Sequence, residues 1–268
     1  MEKIKSNLKG IPETMLIPLR ARYLETKTKG GIINDPKSVE ILDQIDYDFS
    51  GKKEVSKGSQ KGTSIRTEIL DEQTNIFLSK NKDAIIVNLG CGLDTRFHRL
   101  DNGSVTWYDL DVQEAIELRK HFFKETDRFK FISKSVLDFS WTEQIPKNKP
   151  TLFIAEGLLM YFTEEEVKSI LKTISKSFPN AEILLEAMSP FLAKRPNKHP
   201  DLKQYNATFK WGIKTGKELE QWKIGIEFID EFYYFDRHRD KTPLIYKLLL
   251  IIPAFRKMMK IVHLKFTN

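Results

Sequence analysis

Residues 83–111, DAIIVNLGCGLDTRFHRLDNGSVTWYDLD, decide the fold of this chain. An apolar run at residues 84–87 leads into a Gly90-Cys91-Gly92 turn and then into a short segment that is compatible with a helix. A second apolar run at residues 105–108 ends on acidic residues. Strand, glycine turn, helix, strand and acid in this order are typical of the nucleotide-binding edge of an open α/β sheet.

The glycine turn and the acids narrow the choice of ligand. A dinucleotide fingerprint has a third glycine three residues after the second, and Thr95 stands at that position. Asp109 and Asp111, at the tip of the second strand, can accept hydrogen bonds from two ribose hydroxyls. The pattern therefore favours S-adenosylmethionine (SAM), a nucleoside without a pyrophosphate, over a nicotinamide dinucleotide.

The composition fits a soluble globular protein with one large α/β domain. No apolar run reaches the roughly 20 residues that a membrane span requires, and the first residues lack the apolar segment of a signal peptide. Cys91 is the single cysteine, so an intramolecular disulfide is impossible and a cytoplasmic location is expected. The net charge of +7 comes from scattered lysines, so we expect no nucleic-acid partner. We also expect no metal, and the oligomeric state stays open.

The chain divides into four parts around this stretch, all within a single domain. Residues 1–82 read as a helical leader that caps the pocket, and residues 83–186 form the SAM-binding core. Residues 187–222 are basic and interrupted by prolines, which is typical of a lid over the carboxyl ends of the strands. Residues 223–268 supply closing strands and a helix, with an antiparallel edge.

Periodicity and capping signals predict the elements within these parts. Asp35 is a predicted N-cap with Pro36 at the first helical position, and Thr163 with Glu166 forms a predicted capping box. Further helices are predicted over residues 13–24, 62–81, 112–124 and 244–260. After the first two strands, the others are predicted at residues 129–131, 151–155, 181–185, 227–235 and 261–266.

Several ordered motifs resemble those of the leucine carboxyl methyltransferase family, in particular its bacterial branch for polyketide O-methylation. The resemblance rests on NLGCGLDTRFHRL (88–100), WYDLD (107–111), SVLDFSW (135–141) and AEGLLMYFTEEEV (155–167). It extends to the leader (14–36 and 64–72) and to MSPFL and FKWGIKTGKELEQW (188–192 and 209–222). The resemblance implies a Rossmann-like SAM-binding sheet under a helical cap, and a methyl transfer to a small molecule.

The resemblance also implies the residues that hold SAM. Arg66 would meet the methionine carboxylate, since a guanidinium forks onto a carboxylate. Asp111 would hold the ribose, with Asp109 as the alternative. The remaining implied cofactor residues are Gly90 and Gly92 under the methionine and ribose, Ser135 and Val136 beside the adenine with Asp138 just beyond, and Glu156 on the methionine side.

Two further residues are candidates for the reaction itself. Arg22 matches a leader arginine that reaches the cofactor or a substrate carboxylate, and Tyr161 matches an aromatic residue near the transferred methyl group. A carboxylate acceptor is already deprotonated near neutral pH, whereas a hydroxyl acceptor usually needs a general base. None of the five histidines follows a strand tip, and only His199 lies in the lid. We therefore expect carboxylate methylation, aided by lid cations at Lys194, Arg195 and Lys198.

Other functions remain as alternatives. Hydroxyl O-methylation of a small molecule is the nearest, and a SAM-binding or partner-binding module without catalysis is the second. An amino-group methylase of nucleic acids is disfavoured, because the tip of the fourth strand reads AEGL and lacks an Asn/Asp-Pro-Pro-aromatic signature. Base methylation by a cysteine nucleophile would have to use Cys91, which lies in the glycine turn.

Overall fold

Seven strands form one sheet in the computed structural model, which describes residues 4–5, 12–49, 54–194, 208–240 and 250–267. The strands are β1 (Ile85–Leu89), β2 (Thr106–Asp111), β3 (Phe129–Ser133), β4 (Thr151–Ala155), β5 (Glu182–Met188), β6 (Ile226–Tyr233) and β7 (Met259–Phe266). Their order across the sheet is β3-β2-β1-β4-β5-β7-β6. A separate two-residue ladder pairs Ile4–Lys5 with Ile45–Asp46.

Strands β1 to β5 are parallel, and β7 runs antiparallel to both β5 and β6. The central strands β1 and β4 are buried at all five positions, as expected for parallel strands that are covered on both faces. The predicted α/β sheet with an antiparallel pairing at one edge is confirmed. The carboxyl ends of β1, β2, β4 and β5 consequently meet at one rim of the sheet.

The main helices are α1 (Leu16–Lys27), α2 (Pro36–Gln44), α3 (Lys57–Lys80), α4 (Arg96–Leu100), α5 (Gln113–Lys120) and α6 (Glu164–Ser177). Two predicted starts are confirmed. Asp35 accepts a hydrogen bond from the Ser38 amide at 3.1 Å and caps α2, with Pro36 at its first position. At α6, Thr163 and Glu166 form the reciprocal capping box.

The leader and α6 cover opposite faces of the sheet. One buried cluster joins apolar side chains of α1, α2, α3, α4 and α5 to Ile86, Trp107 and Ile154 of the strands. A second cluster joins α6 to the residues that alternate with these, such as Val87 and Phe153. The helices α1 and α3 are therefore packed against the sheet and reach its carboxyl rim. Within the described ranges, no helix has the length and apolarity needed to cross a bilayer.

The predicted helix over residues 244–260 is wrong in its last part. A short helix occupies Pro253–Arg256, and the chain already enters β7 at Met259. The reason is the alternation in MKIVHLKF, whose β-branched Ile261 and Val262 pair with β5. Residues 244–249 of that predicted helix, and Arg195, Lys198 and His199 of the predicted lid, lie outside the described residues.

Candidate active site

The glycine turn after β1 needs both of its glycines. Gly90 and Gly92 have φ values of +65° and +45°, in the left-handed region that side chains disfavour. A Cβ atom at Gly90 would lie 2.6 Å from Cδ1 of Leu158, so a larger residue would have to displace that side chain. The amides of Gly90 and Cys91 donate to the Leu110 carbonyl, which fixes the turn against β2.

Asp111 is the last residue of β2 and is partly exposed at the rim. Its carboxylate accepts hydrogen bonds from the Gly92 amide and the Val112 amide, each at 2.8 Å. These bonds hold the acid beside the glycine turn, where the ribose of a nucleoside would lie. The predicted role of Asp111 as the ribose ligand stays a prediction.

Asp109 points to the same side of β2 as Asp111 but is fully buried one step deeper. Its carboxylate pairs with Arg119 and accepts hydrogen bonds from Asn88 (3.2 Å) and the Trp107 indole (3.1 Å). Burial raises the pKa of Asp109 to about 6, although Arg119 opposes the change. Asp109 is therefore engaged in the interior while Asp111 lies at the rim, and the choice of Asp111 as the ribose ligand stays a prediction.

Arg66 crosses from α3 to the tips of β4 and β5. Its Nη2 lies 2.6 Å from Oε1 of Glu156, and its Nη1 lies 2.8 Å from Oε2 of Glu186. Its Nε is buried and has no hydrogen-bond partner. The arrangement joins Arg66 and Glu156 in an ion pair, and their predicted contacts with SAM stay predictions.

Glu156 is shared between two arginines. Its second oxygen accepts a hydrogen bond from Arg96 Nη2 at 2.7 Å. Burial by itself raises the pKa of Glu156, but Arg66, Arg96 and Arg22 outweigh it and hold the pKa well below its usual range. Glu156 is therefore a carboxylate at every pH at which the protein is expected to work.

This lowered pKa predicts a loss of stability in acid. A carboxylate with a lowered folded-state pKa stabilises fully above its unfolded pKa of about 4.3, and the contribution disappears as the pH falls below that value. We expect the free energy of unfolding to fall from about pH 5 downwards, and Glu156→Gln to remove part of that slope. Urea titrations across pH 2–7 measure it, with the exposed Glu227→Gln as control. A Glu156→Gln slope that equals the slope of the unmodified protein contradicts this assignment.

Arg22 lies in the interior at the base of the glycine turn. It is 2% exposed, its Nε pairs with Asp35 at 3.0 Å and its Nη2 donates to the Leu93 carbonyl at 2.9 Å. Asp35 also accepts a hydrogen bond from the Thr95 hydroxyl at 2.6 Å. Arg22 thus binds the leader to the turn, and its predicted role towards the cofactor or a substrate carboxylate stays a prediction.

The predicted adenine side follows β3. Ser135 is exposed and Val136 is buried, so the two present a polar and an apolar surface in succession. Asp138 is half-exposed, caps the short helix Phe139–Gln144 through Ser140, and pairs with Lys134 at 3.1 Å. The carboxylate of Asp138 therefore binds residues close to it in the chain, Ser140 and Lys134.

Tyr161 ends the short helix Leu159–Tyr161 after the tip of β4. Its ring lies 5.5 Å from that of Phe209, and both rings pack against Ile17 of the leader. Burial raises the pKa of the Tyr161 phenol, although its hydrogen bond with Thr14 opposes the change. The phenol is therefore protonated near neutral pH. Tyr161, Phe209, Met160 and Met188 pack together, and we call this apolar group the wall.

The described histidines lie away from this wall. His238 pairs with Glu68 of α3 and His263 pairs with Glu182 at the far end of β5. His98 and His121 belong to α4 and the end of α5. Among the described residues there is also no group of His, Cys, Asp and Glu side chains that could hold a metal ion.

Sequence reasoning missed the ion network under the site. Arg96 is fully buried and pairs with Asp71, Asp94 and Glu156, each at 2.7 Å. Arg99 joins Asp71 to Asp35. Asp94, Arg96 and Arg99 all lie within the quoted motif at residues 88–100. The charged residues of that motif were the available signal for the network, but apolar periodicity does not show which charges pair.

The residues at the rim fit SAM. A tight glycine turn permits close approach of a nucleoside, and Asp111 offers a carboxylate for ribose hydroxyls. The terminal nitrogens of Arg66 have N–H donors beyond their two ion pairs, which can meet a carboxylate. A mostly parallel seven-stranded sheet with this rim defines the class of SAM-dependent methyltransferases.

Comparisons with known proteins agree with that class. The family model "Leucine carboxyl methyltransferase" matches residues 16–175. The chain is 33% identical over 230 residues to the tetracenomycin polyketide synthesis O-methyltransferase TcmP of Streptomyces glaucescens, covering 85% of each chain. It is 29% identical over 255 residues to the SAM-dependent methyltransferase dpfgK of Gibberella zeae, covering 87% of this chain and 85% of that one. The chain belongs to the leucine carboxyl methyltransferase family and is a SAM-dependent O-methyltransferase.

Solved structures show the same fold at low identity. A methyltransferase-like protein from Thermobifida fusca YX superposes with a TM-score of 0.59 and 13% identity, covering 92% of this chain and 94% of that one. The magnesium protoporphyrin IX methyltransferase ChlM from Synechocystis PCC 6803, with bound S-adenosylhomocysteine, gives a TM-score of 0.50 and 11% identity. That match covers 81% of this chain and 90% of the other.

Proposed function

We propose that the chain transfers the methyl group of SAM to a carboxylate oxygen of a small anionic acceptor and so forms a methyl ester. The observation that carries this proposal is the state of Tyr161. Its pKa is raised by burial, so the phenol can donate a hydrogen bond to an acceptor oxygen but is a poor base. A carboxylate needs no base near neutral pH, and it accepts such a bond well.

In this proposal the chain acts mainly by binding and alignment. Arg66 holds the methionine carboxylate, Glu156 lines the methionine side, Asp111 holds the ribose, and the glycine turn lets the nucleoside approach the backbone. Ser135 and Val136 flank the adenine. SAM supplies an activated methyl group on its sulfonium. Positioning of two reactants can lower a barrier by about 7–11 kcal/mol, which is sufficient for most of the rate enhancement asked of such a site.

The class of acceptor follows from the relatives and from the wall. TcmP is named for tetracenomycin polyketide synthesis, and we propose an acceptor of comparable kind, a small acid of polyketide or other secondary metabolism. The partly buried rings of Tyr161 and Phe209, with the buried Met160 and Met188 behind them, suit an apolar body next to the reacting carboxylate. We also propose that the protein works in the cytoplasm.

Label transfer tests the proposal directly. The protein is incubated with SAM that carries a radiolabelled methyl group and with an extract of small metabolites, and the products are treated with mild alkali. We expect base-labile label, because methyl esters hydrolyse under these conditions. Label that survives alkali would indicate ethers and would assign the enzyme to hydroxyl acceptors. Protein with Asp111→Ala is the control for transfer that does not depend on the site.

Replacement of Tyr161 by phenylalanine tests its role as a donor. Loss of one hydrogen bond to a charged acceptor, worth about 1.5–3 kcal/mol, predicts a fall of about 10- to 100-fold in kcat/KM with an unchanged pH dependence near neutrality. Steady-state label transfer over pH 6–9 measures both quantities. If Tyr161 were the general base, the pH profile of the unmodified enzyme would show its ionisation, and the variant would lose that limb.

A further inference from the structure

Glu186, the fifth residue of β5, is buried beneath the rim and satisfies three donors at once. Its Oε2 accepts hydrogen bonds from Arg66 Nη1 at 2.8 Å and from the Gly157 amide at 2.7 Å. Its Oε1 accepts the hydroxyl of Tyr234 at 2.7 Å. The side chain of Glu186 is 2% exposed, so it does not itself face a ligand.

The guanidinium of Arg66 is consequently fixed from two sides. Glu186 holds Nη1, and Glu156 holds Nη2 while its own second oxygen is bound to Arg96. A guanidinium has five N–H donors, and these two ion pairs leave Nε and one hydrogen on each terminal nitrogen. Because both terminal nitrogens are held, the two glutamates determine the direction in which their remaining N–H donors point.

Glu186 also fixes the backbone that carries Glu156. Gly157 follows Glu156 at the tip of β4 and has a φ of +63°, and its amide is held by Glu186. One buried carboxylate therefore aligns the arginine of α3 and the tip of β4 together. Tyr234, which follows β6, fixes that carboxylate in turn and is itself 5% exposed.

We propose that Glu186 and Tyr234 are positioning residues, which orient Arg66 towards the amino-acid end of SAM without touching the cofactor. The inference rests on the proposed contact between Arg66 and the methionine carboxylate. It predicts that changes at Glu186 and Tyr234 weaken ligands that carry the amino-acid end and spare ligands that lack it. A purely structural role would weaken both kinds of ligand alike.

Two ligands separate these roles in calorimetric titrations. S-adenosylhomocysteine carries the amino-acid end, and 5′-methylthioadenosine has the same nucleoside without it. From the usual strength of a neutral hydrogen bond, Tyr234→Phe should raise the dissociation constant of S-adenosylhomocysteine about 3- to 10-fold. Glu186→Gln, which keeps the shape and removes the charge, should raise it about 10- to 100-fold. The dissociation constant of 5′-methylthioadenosine should stay within about twofold for both variants.

The chain offers a matched control for each substitution. Tyr233→Phe removes a neighbouring hydroxyl that is bonded to Glu231, and Glu182→Gln changes a glutamate at the other end of β5 that pairs with His263. Both controls should leave the two dissociation constants unchanged. If Tyr234→Phe and Glu186→Gln weaken both ligands equally, or weaken neither, the inference is overturned.

Arg66→Lys distinguishes a failure of this inference from a failure of the proposed contact between Arg66 and the methionine carboxylate, on which the inference rests. If Arg66→Lys loses the preference for S-adenosylhomocysteine while Glu186→Gln and Tyr234→Phe keep it, the positioning role fails and the Arg66 contact stands. If Arg66→Lys keeps the preference as well, the contact with the methionine carboxylate fails and the inference falls with it. Loss of the preference in all three variants supports the positioning role.

Discussion

Alanine in place of Asp111 is expected to raise the dissociation constant for SAM by about 100-fold or more. A hydrogen bond to an ionised acceptor contributes about 1.5–3 kcal/mol, and the proposed site makes two of them to the ribose. Two such bonds at the lower value amount to about 3 kcal/mol, or roughly 100-fold in affinity. The substitution also frees the Gly92 amide, which loosens the glycine turn.

Titration calorimetry with SAM measures this effect, and Asp83→Ala is the matched control. Asp83 precedes β1 at the opposite end of the sheet, is 67% exposed and pairs with Lys149 at 3.5 Å. Its replacement should leave the affinity for SAM unchanged. A change of less than threefold for Asp111→Ala would show that the ribose is held by another residue.

Methionine in place of Arg96 is expected to destabilise the protein by about 3–5 kcal/mol. Arg96 is fully buried, and its guanidinium is surrounded by carboxylates. Asp71, Asp94 and Glu156 each lie 2.7 Å from one of its nitrogens. Removal of one member of a buried ion cluster leaves the opposite charges uncompensated in a region that water does not reach. Methionine fills a similar volume, so the loss reports the charge and not a cavity.

Urea-induced unfolding at pH 7 measures this loss, and Arg237→Met is its control. Arg237 pairs with Glu72 of α3 at 2.6 Å but is 33% exposed, and an exposed pair contributes about 0–1 kcal/mol. Arg96→Met with a loss below about 1 kcal/mol would mean that the cluster around Glu156 rearranges or takes up water. In that case Glu156 and Asp94, next to the proposed SAM site, are held less firmly than their 2.7 Å distances to Arg96 indicate.

The sheet could be predicted from sequence because its signals are local. The glycine turn, the apolar strands and the capping signals at Asp35 and Thr163 each lie within a few residues, and the structure confirms them. Asp109 and Asp111 show the limit of prediction from local signals. Both lie on one side of β2, and only the depth of each in the sheet separates a buried ion pair from an acid at the rim.

The ion network could not be predicted, because its members are far apart in the chain. Arg66 and Glu186 are 120 residues apart, and Arg96 and Glu156 are 60 apart. Which arginine meets which acid is decided by the packing of α3 and α4 on the sheet, and no local pattern encodes that packing. The pairing of Arg22 with Asp35 could not be predicted for the same reason, since Asp35 is recognisable from sequence only as a helix cap.

The bond between the leader and the glycine turn limits how this enzyme can be rebuilt. Asp35 joins Arg22, Thr95 and Arg99 in one buried cluster, so the cap and the core share their charges. A chimera that borrows the leader of a relative to change the acceptor would place foreign residues opposite these partners. Such a swap has to exchange the leader together with positions 95 and 99. The leader and the segment after the glycine turn therefore have to be changed as one unit.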